Sequence, residues 1–192
     1  MVMGLRIVVV GIAGVGKSTV VSKSVASIDG ASLAVFGTAM FEAARRLRWV
    51  EHRDEMRKLP VEKQKRLQKV AALKISRGRG RVVFVDTHLF VRTPEGFWPG
   101  LPLAVIQALK PTHLLLVEAS PEEIISRREN DKTRYRDKVS REDVSAELAL
   151  ARTLLSAASL VSGAPISFIQ NGEGRSDEAA EQIHQLVRSA TA

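Results

Sequence analysis

The sequence points to an α/β fold, a five-stranded parallel sheet with helices on both faces. Three observations carry this reading. Residues 7–10, 81–86 and 113–118 are runs of strand length, almost unbroken in Val, Leu, Ile and Phe. Continuous rather than alternating apolarity marks strands covered on both sides. Segments of helical period separate these runs, and strands alternating with helices build a parallel sheet.

The elements follow in order. Residues 1–6 lead into the apolar run 7–10, too short for a leader peptide and therefore read as a buried first strand. Residues 17–28 read as a helix that stops near Asp29-Gly30. Residues 32–36 give a short second strand. Residues 38–77 are helical in pattern and heavily charged, with Pro60 opening a new helix in which Leu67, Val70 and Ala71 recur at helical spacing. Gly78-Arg79-Gly80 breaks that helix, and the strand 81–86 ends on Asp86. Residues 93–102 hold three prolines and two glycines and read as loop. After the strand 113–118, Ser120-Pro121-Glu122-Glu123 is a helix start, with Ser as cap, Pro at the first turn and Glu closing a capping box. Ser140 to Asp143 repeats the signal in weaker form before a long helix to about Ser162. Residues 165–170 are the last strand and 176–189 a closing helix.

Composition narrows the classes. With 192 residues and 45% hydrophobic content, residues 1–192 suit one domain with a sizeable core. There is no cysteine, which removes disulfides, zinc–thiolate sites and a cysteine nucleophile and fits a cytoplasmic protein. No apolar stretch reads as the roughly 20 residues of a membrane span, so no membrane is expected as a partner. The net charge of +8 attracts polyanions, whether nucleic acid, an acidic membrane surface or nucleotide phosphates. Aromatic content of 5% is thin for a base-stacking surface, so specific nucleic-acid binding is not expected. Asn occurs only at 130 and 171, a weak hint of heat tolerance.

Residues Gly11, Ile12, Ala13, Gly14, Val15, Gly16, Lys17 and Ser18 fit G-x-x-x-x-G-K-[ST], and Thr19 follows. The glycines let consecutive N–H groups turn into one concavity, and the helix that begins near Lys17 aims its positive end at the same point. Lys17 supplies a mobile charge for the β- and γ-phosphates of ATP, and the Ser18 hydroxyl suits Mg²⁺. Strand before and helix after are the context this phosphate-binding loop requires. Asp86 ends a strand on the edge where ligands bind in open α/β sheets, and it reads either as a carboxylate orienting Mg²⁺ through water or as a solvated strand-end acid or helix cap. Arg92, beside Thr93-Pro94, can fork onto a phosphate.

The stretch Asp86-Thr87-His88 with Arg92-Thr93-Pro94-Glu95-Gly96 and Pro99-Gly100-Leu101-Pro102 resembles the archaeal-type adenylate kinases. So do Arg53-Asp54-Glu55-Met56-Arg57-Lys58-Leu59 with residues 61–65, and the lid-like segment Asp131-Lys132-Thr133-Arg134-Tyr135-Arg136-Asp137. The resemblance covers nearly the whole chain. It implies the three-layer P-loop nucleoside triphosphate hydrolase fold, the reaction ATP + AMP ⇌ 2 ADP with Mg²⁺, and a homotrimer. Two positions depart from the pattern: Ala13 stands where similar proteins carry Pro, and Gly37-Thr38 stands for Gly-Asp.

Phosphoryl transfer needs positioning, exclusion of water and positive charge around the phosphoryl group in flight. Residues 130–140 read as a short lid, carrying Arg134 and Arg136 onto the phosphates with Arg128 behind them; Arg127 is the weakest of the four. Asp131, Asp137 and Glu129 offer these arginines an alternative as ion-pair partners. Residues 37–78 form the monophosphate-binding part. There Arg53 and Arg57, spaced i, i+4 on one helix face, take the AMP phosphate together with Arg92, or else pair with Glu51, Asp54 or Glu55. Along the long helix Val144, Leu148, Ala151, Leu155 and Ala158 make one apolar stripe, and Leu150, Leu154, Ala157 and Val161 a second, suited to a subunit interface or a deep core position. Two other functions stay open: a kinase for UMP or CMP, since base specificity is invisible in spacing, and a P-loop ATPase or RNA-binding switch.

Overall fold

The structure is a computed structural model that describes residues 4–78, 80–93, 96–131 and 139–191. Five strands form one parallel sheet: β1 (Leu5–Val10), β2 (Ala31–Val35), β3 (Val82–Asp86), β6 (His113–Glu118) and β7 (Ile166–Gln170), in spatial order β2-β3-β1-β6-β7. Every pairing is parallel, with Val9 opposite Asp86 and Val10 opposite Leu116. The apolar runs explain which strands are central. Residues Ile7 to Val10, Phe84, Val85 and Leu114 to Val117 are fully buried, so β1, β3 and β6 take the centre and the shorter β2 and β7 the edges.

Helices flank the sheet. Helix α1 (Lys17–Ser27) packs on α7 (Ser176–Thr191), while α4 (Leu103–Leu109) packs on α6 (Arg141–Ser162) and on α3 (Val61–Ser76). Helix α5 (Pro121–Asn130) opens with the capping box anticipated from Ser120 and Glu123, and α6 opens with that of Ser140 and Asp143. The helical region after β2 is divided by its punctuation into α2 (Phe36–Arg46), a 3-10 turn (Arg53–Lys58) and α3, with Pro60 as the cap of α3. Ala43, Ala44, Val50 and Leu67 give this region a small apolar cluster of its own.

Three expectations need correction, and one helix has no counterpart among them. The segment read as loop, 93–102, contains a strand, β5 (Gly96–Pro99), which pairs antiparallel with β4 (Phe90–Thr93). Phe90 and Phe97 meet edge to face at 4.9 Å, but two four-residue strands are too short to show a period in sequence. The seven residues of α4, capped by no side chain, also escaped the reading. Arg53 and Arg57 lie in a 3-10 turn, where three residues complete a revolution and positions i, i+4 point about 120° apart rather than along one face.

The last correction concerns α6, whose 22 residues are long and apolar enough to cross a membrane by length and composition. It lies instead against the sheet, with Val144, Ala151, Leu155 and Ala158 buried. Its second apolar stripe is not a core face: Leu150 and Leu154 are half-buried, Ala157 and Val161 exposed, and Leu160 beside them is 87% exposed.

Candidate functional site

The C-terminal ends of β1, β3 and β6 meet at one edge of the sheet, and the glycine loop leaves β1 there. Gly14 and Gly16 adopt φ of +92° and +78°, values that a side chain resists. The loop closes through Val15 N–H to Ile12 C=O, at 3.4 Å, and delivers the chain into α1 with Gly16 as its cap. Thr19 and Val20 donate to the Gly16 carbonyl at 3.1 and 3.2 Å. Among the described residues, the N–H groups of Gly14, Gly16, Lys17 and Ser18 find no acceptor. Unpaired amides at a helix N-terminus are an anion site.

Two side chains hold the loop from outside. Arg128 at the end of α5 donates from Nε to the Ala13 carbonyl at 2.8 Å and from Nη2 to Glu147 at 2.7 Å. Asn171, just beyond β7 and 4% exposed, donates from Nδ2 to the Val15 carbonyl at 2.7 Å. Its own N–H is tied to the Glu118 carbonyl at 2.7 Å, and its carbonyl accepts from Arg127 Nη2 at 3.1 Å.

Lys17 is buried and in contact with the carboxylate of Asp86 across the gap between α1 and β3. Burial pushes its ammonium down to about 8, because desolvation disfavours the charged form. Asp86 Oδ1 is buried with no well-formed hydrogen bond. Ser18 and Thr19 are exposed in the first turn of α1. A hydroxyl and a half-buried carboxylate on one cleft are the hard oxygen donors that suit Mg²⁺, which takes one or two protein ligands and completes its shell with phosphates and water. Such a site needs no dedicated cluster, and among the described residues no group of three His, Asp or Glu side chains forms one.

The structure brings Arg92 and Arg128 together through a residue that the sequence reading missed. Glu147, on the buried face of α6, pairs with Arg128 and lies 3.8 Å from Arg92 Nη2. Arg92 stands on β4, its guanidinium 5.4 Å from the Phe97 ring. A carboxylate interrupting the Val144–Ala151 stripe was the available signal. Glu118 at the end of β6 was also missed: it is 2% exposed, held bidentately by Arg152 at 2.7 and 2.9 Å and by Gln170 at 3.2 Å.

On the acceptor side, Arg53 lies across Gly37, where an added Cβ would stand 2.8 Å from Nη2, so glycine at 37 gives the guanidinium room. Among the described residues neither Arg53 nor Arg57 is in an ion pair, so the pairing with Glu51, Asp54 or Glu55 is not formed; Glu55 instead accepts from the backbone of Glu51 and His52. A cavity of about 550 Å³, lined by Thr38, Phe41, Glu42, Arg45 and Arg46 of α2, includes none of the glycine-loop residues in its lining. Arg134 and Arg136, with most of the lid segment 130–140, lie outside the described residues.

Residues 10–145 match a family described as an AAA domain. An adenylate kinase of Methanocaldococcus jannaschii is 38% identical over 95% of this chain and 97% of its own. An adenylate kinase of Thermoplasma acidophilum is 42% identical over 95% and 98%. Among solved structures, a shikimate kinase from Acinetobacter baumannii in complex with shikimate superposes with a TM-score of 0.61 at 18% identity, over 98% of this chain and 95% of that one. That likeness speaks for the P-loop kinase fold alone. Identity near 40%, carried from end to end of both chains, places this chain in the archaeal adenylate kinase family.

Proposed function

We propose that this chain catalyses ATP + AMP ⇌ 2 ADP. The observation that carries the reading is a cradle of unpaired loop amides, beside Lys17 and Asp86, in a chain whose relatives of near-equal length are adenylate kinases. Residues 11–19 hold the triphosphate of ATP through the Lys17 side chain and the unpaired amides of Gly14, Gly16, Lys17 and Ser18. Ser18 and Asp86, the latter through water, would hold Mg²⁺, which would supply positive charge to neutralise the phosphates. Arg53, Arg57 and Arg92 take the phosphate of AMP. Arg92, Arg134 and Arg136 surround the phosphoryl group in transit with Arg128 behind them on the loop, where preorganised positive charge lowers the barrier. Residues 37–78 are the monophosphate-binding part and 130–140 the lid.

The contact between Lys17 and Asp86 has a mechanistic meaning in this scheme. The Asp86 carboxylate neutralises Lys17 in this pair; a bound phosphate would compete for the ammonium, and the carboxylate so released would be available to Mg²⁺. A homotrimer in the cytoplasm belongs to the same proposal. The exposed residues Ala157, Leu160 and Val161 of α6 offer apolar surface for self-association.

The test is to incubate the protein with Mg-ATP and AMP, UMP, CMP or GMP in turn and separate the products. ADP should form fastest with AMP, and Lys17→Ala should lose at least about a thousandfold in rate while keeping its circular dichroism. Faster transfer to another monophosphate, or ATP hydrolysis without an acceptor, would overturn the assignment.

A further inference from the structure

We infer that Asn171 is a positioning residue for the phosphate loop: from outside the site, it sets which way one loop amide points. A trans peptide is planar, so its C=O and N–H point to opposite sides. Asn171 Nδ2 holds the Val15 carbonyl on the outer side of the loop at 2.7 Å. The Gly16 N–H, which shares that peptide, is thereby turned inward, and it has no acceptor among the described residues. Arg128 does the same one peptide-pair earlier, holding the Ala13 carbonyl at 2.8 Å and so turning the Gly14 N–H inward. Alternate carbonyls are gripped from outside and alternate amides are left for the ligand.

The loop needs this help. Glycines at φ +92° and +78° leave its peptides free to rotate, and a flipped Val15–Gly16 peptide would present a carbonyl oxygen to a phosphate. Asn171 is fit to prevent that because its backbone is tied on both sides. It is buried, its N–H continues the sheet by donating to Glu118, and Arg127 holds its carbonyl. The fit at Gly16 is close: an added Cβ would stand 2.4 Å from Asn171 Nδ2. Glycine at 16 is thus required by the neighbour as well as by its backbone angle. The anchor lies 156 residues along the chain from the carbonyl it holds.

This inference rests on the nucleotide reading proposed above, and its test separates the two. Asn171→Asp keeps the shape and replaces the donor with an acceptor that repels the Val15 carbonyl; Asn171→Ala removes the group without adding charge. For each variant, ADP is titrated with Mg²⁺ while the Gly16 amide is followed by 15N NMR, and KM for ATP and AMP is measured. In the parent protein the Gly16 amide should shift on ADP binding. In Asn171→Asp that shift should be lost and KM for ATP should rise by about tenfold to a hundredfold, the scale of one hydrogen bond to a charged group. KM for AMP should stay within about twofold, because the acceptor side touches neither residue. Asn171→Ala should raise KM for ATP in the same direction by less. A Gly16 shift and an ATP KM unchanged in both variants would overturn the clamp, as would KM values for ATP and AMP that rise together, the mark of general loosening. A parent protein whose Gly16 amide ignores nucleotide would overturn the nucleotide reading and the clamp with it.

Discussion

Glu147 is a buried acid that answers two arginines, and its removal should be felt on both. Replacing it with Gln keeps an oxygen for Arg128 but removes the charge; Leu removes both. The expected loss is about 1–3 kcal/mol for Glu147→Gln and about 3–5 kcal/mol for Glu147→Leu, since breaking a buried pair from one side strands the partner. Urea denaturation reads both values, and equal stability of Glu147→Leu and parent would show that Arg128 is held by Ala13 alone. At this scale the sequence was half transparent. Gly11, Gly16, Lys17 and Ser18 announce themselves because their spacing follows from phosphate geometry. Glu147 and Asn171 do not, because each acts on a group far away in the chain, and a polar residue at a strand end or within a helix has many uses.

Helix starts were the most legible of the larger units, since a cap is local chemistry written within four residues. The Ser120 hydroxyl accepts from the Glu123 N–H at 3.3 Å, and Ser140 from the Asp143 N–H at 3.0 Å. Each carboxylate answers by accepting from the cap's own N–H, at 2.8 and 3.0 Å. Ser120→Ala and Ser140→Ala should each cost about 1 kcal/mol, and their effects should add in the double variant. Thermal melting checks this. A double variant no less stable than either single one would mean that the two helix starts are not independent. The hairpin of β4 and β5 and the 3-10 turn of Arg53 to Lys58 were illegible for the opposite reason. Four residues define no period, and a 3-10 turn differs from an α-helix by hydrogen bonds rather than by composition.

The sheet could be read because burial on both faces demands unbroken apolar runs, and no helix surface needs them. Its strand order could not be read, because order depends on which crossover packs beside which, and that information is spread over the whole chain. The same distributed character governs how the molecule answers acid. The backbone N–H of Ser120 above all holds Glu123 below the usual carboxylate range, that of Ser140 does so for Asp143, and those of Glu51 and His52 for Glu55. Lys74 hydrogen-bonds Glu42 with the same effect, and Glu122 is lowered chiefly by its own backbone amide and then by Arg141. In every case the folded protein binds the proton less tightly than the unfolded chain. The stability these groups contribute is therefore complete above their ordinary values of 3.8 for Asp143 and 4.5 for the glutamates, and it drains away as pH falls through the lowered ones. The melting temperature should accordingly be insensitive to these acids between pH 5.5 and 7, on the order of a unit above their range, and should decline progressively below about pH 4.5. Because the groups cap or tether α5, α6, α3 and the 3-10 turn, the decline should appear as one cooperative shift in scanning calorimetry. In Ser120→Ala and Ser140→Ala the acid slope should be shallower, since each carboxylate loses a donor that prefers its charged form. A slope equal to the parent's in the double variant would put the acid sensitivity elsewhere in the chain.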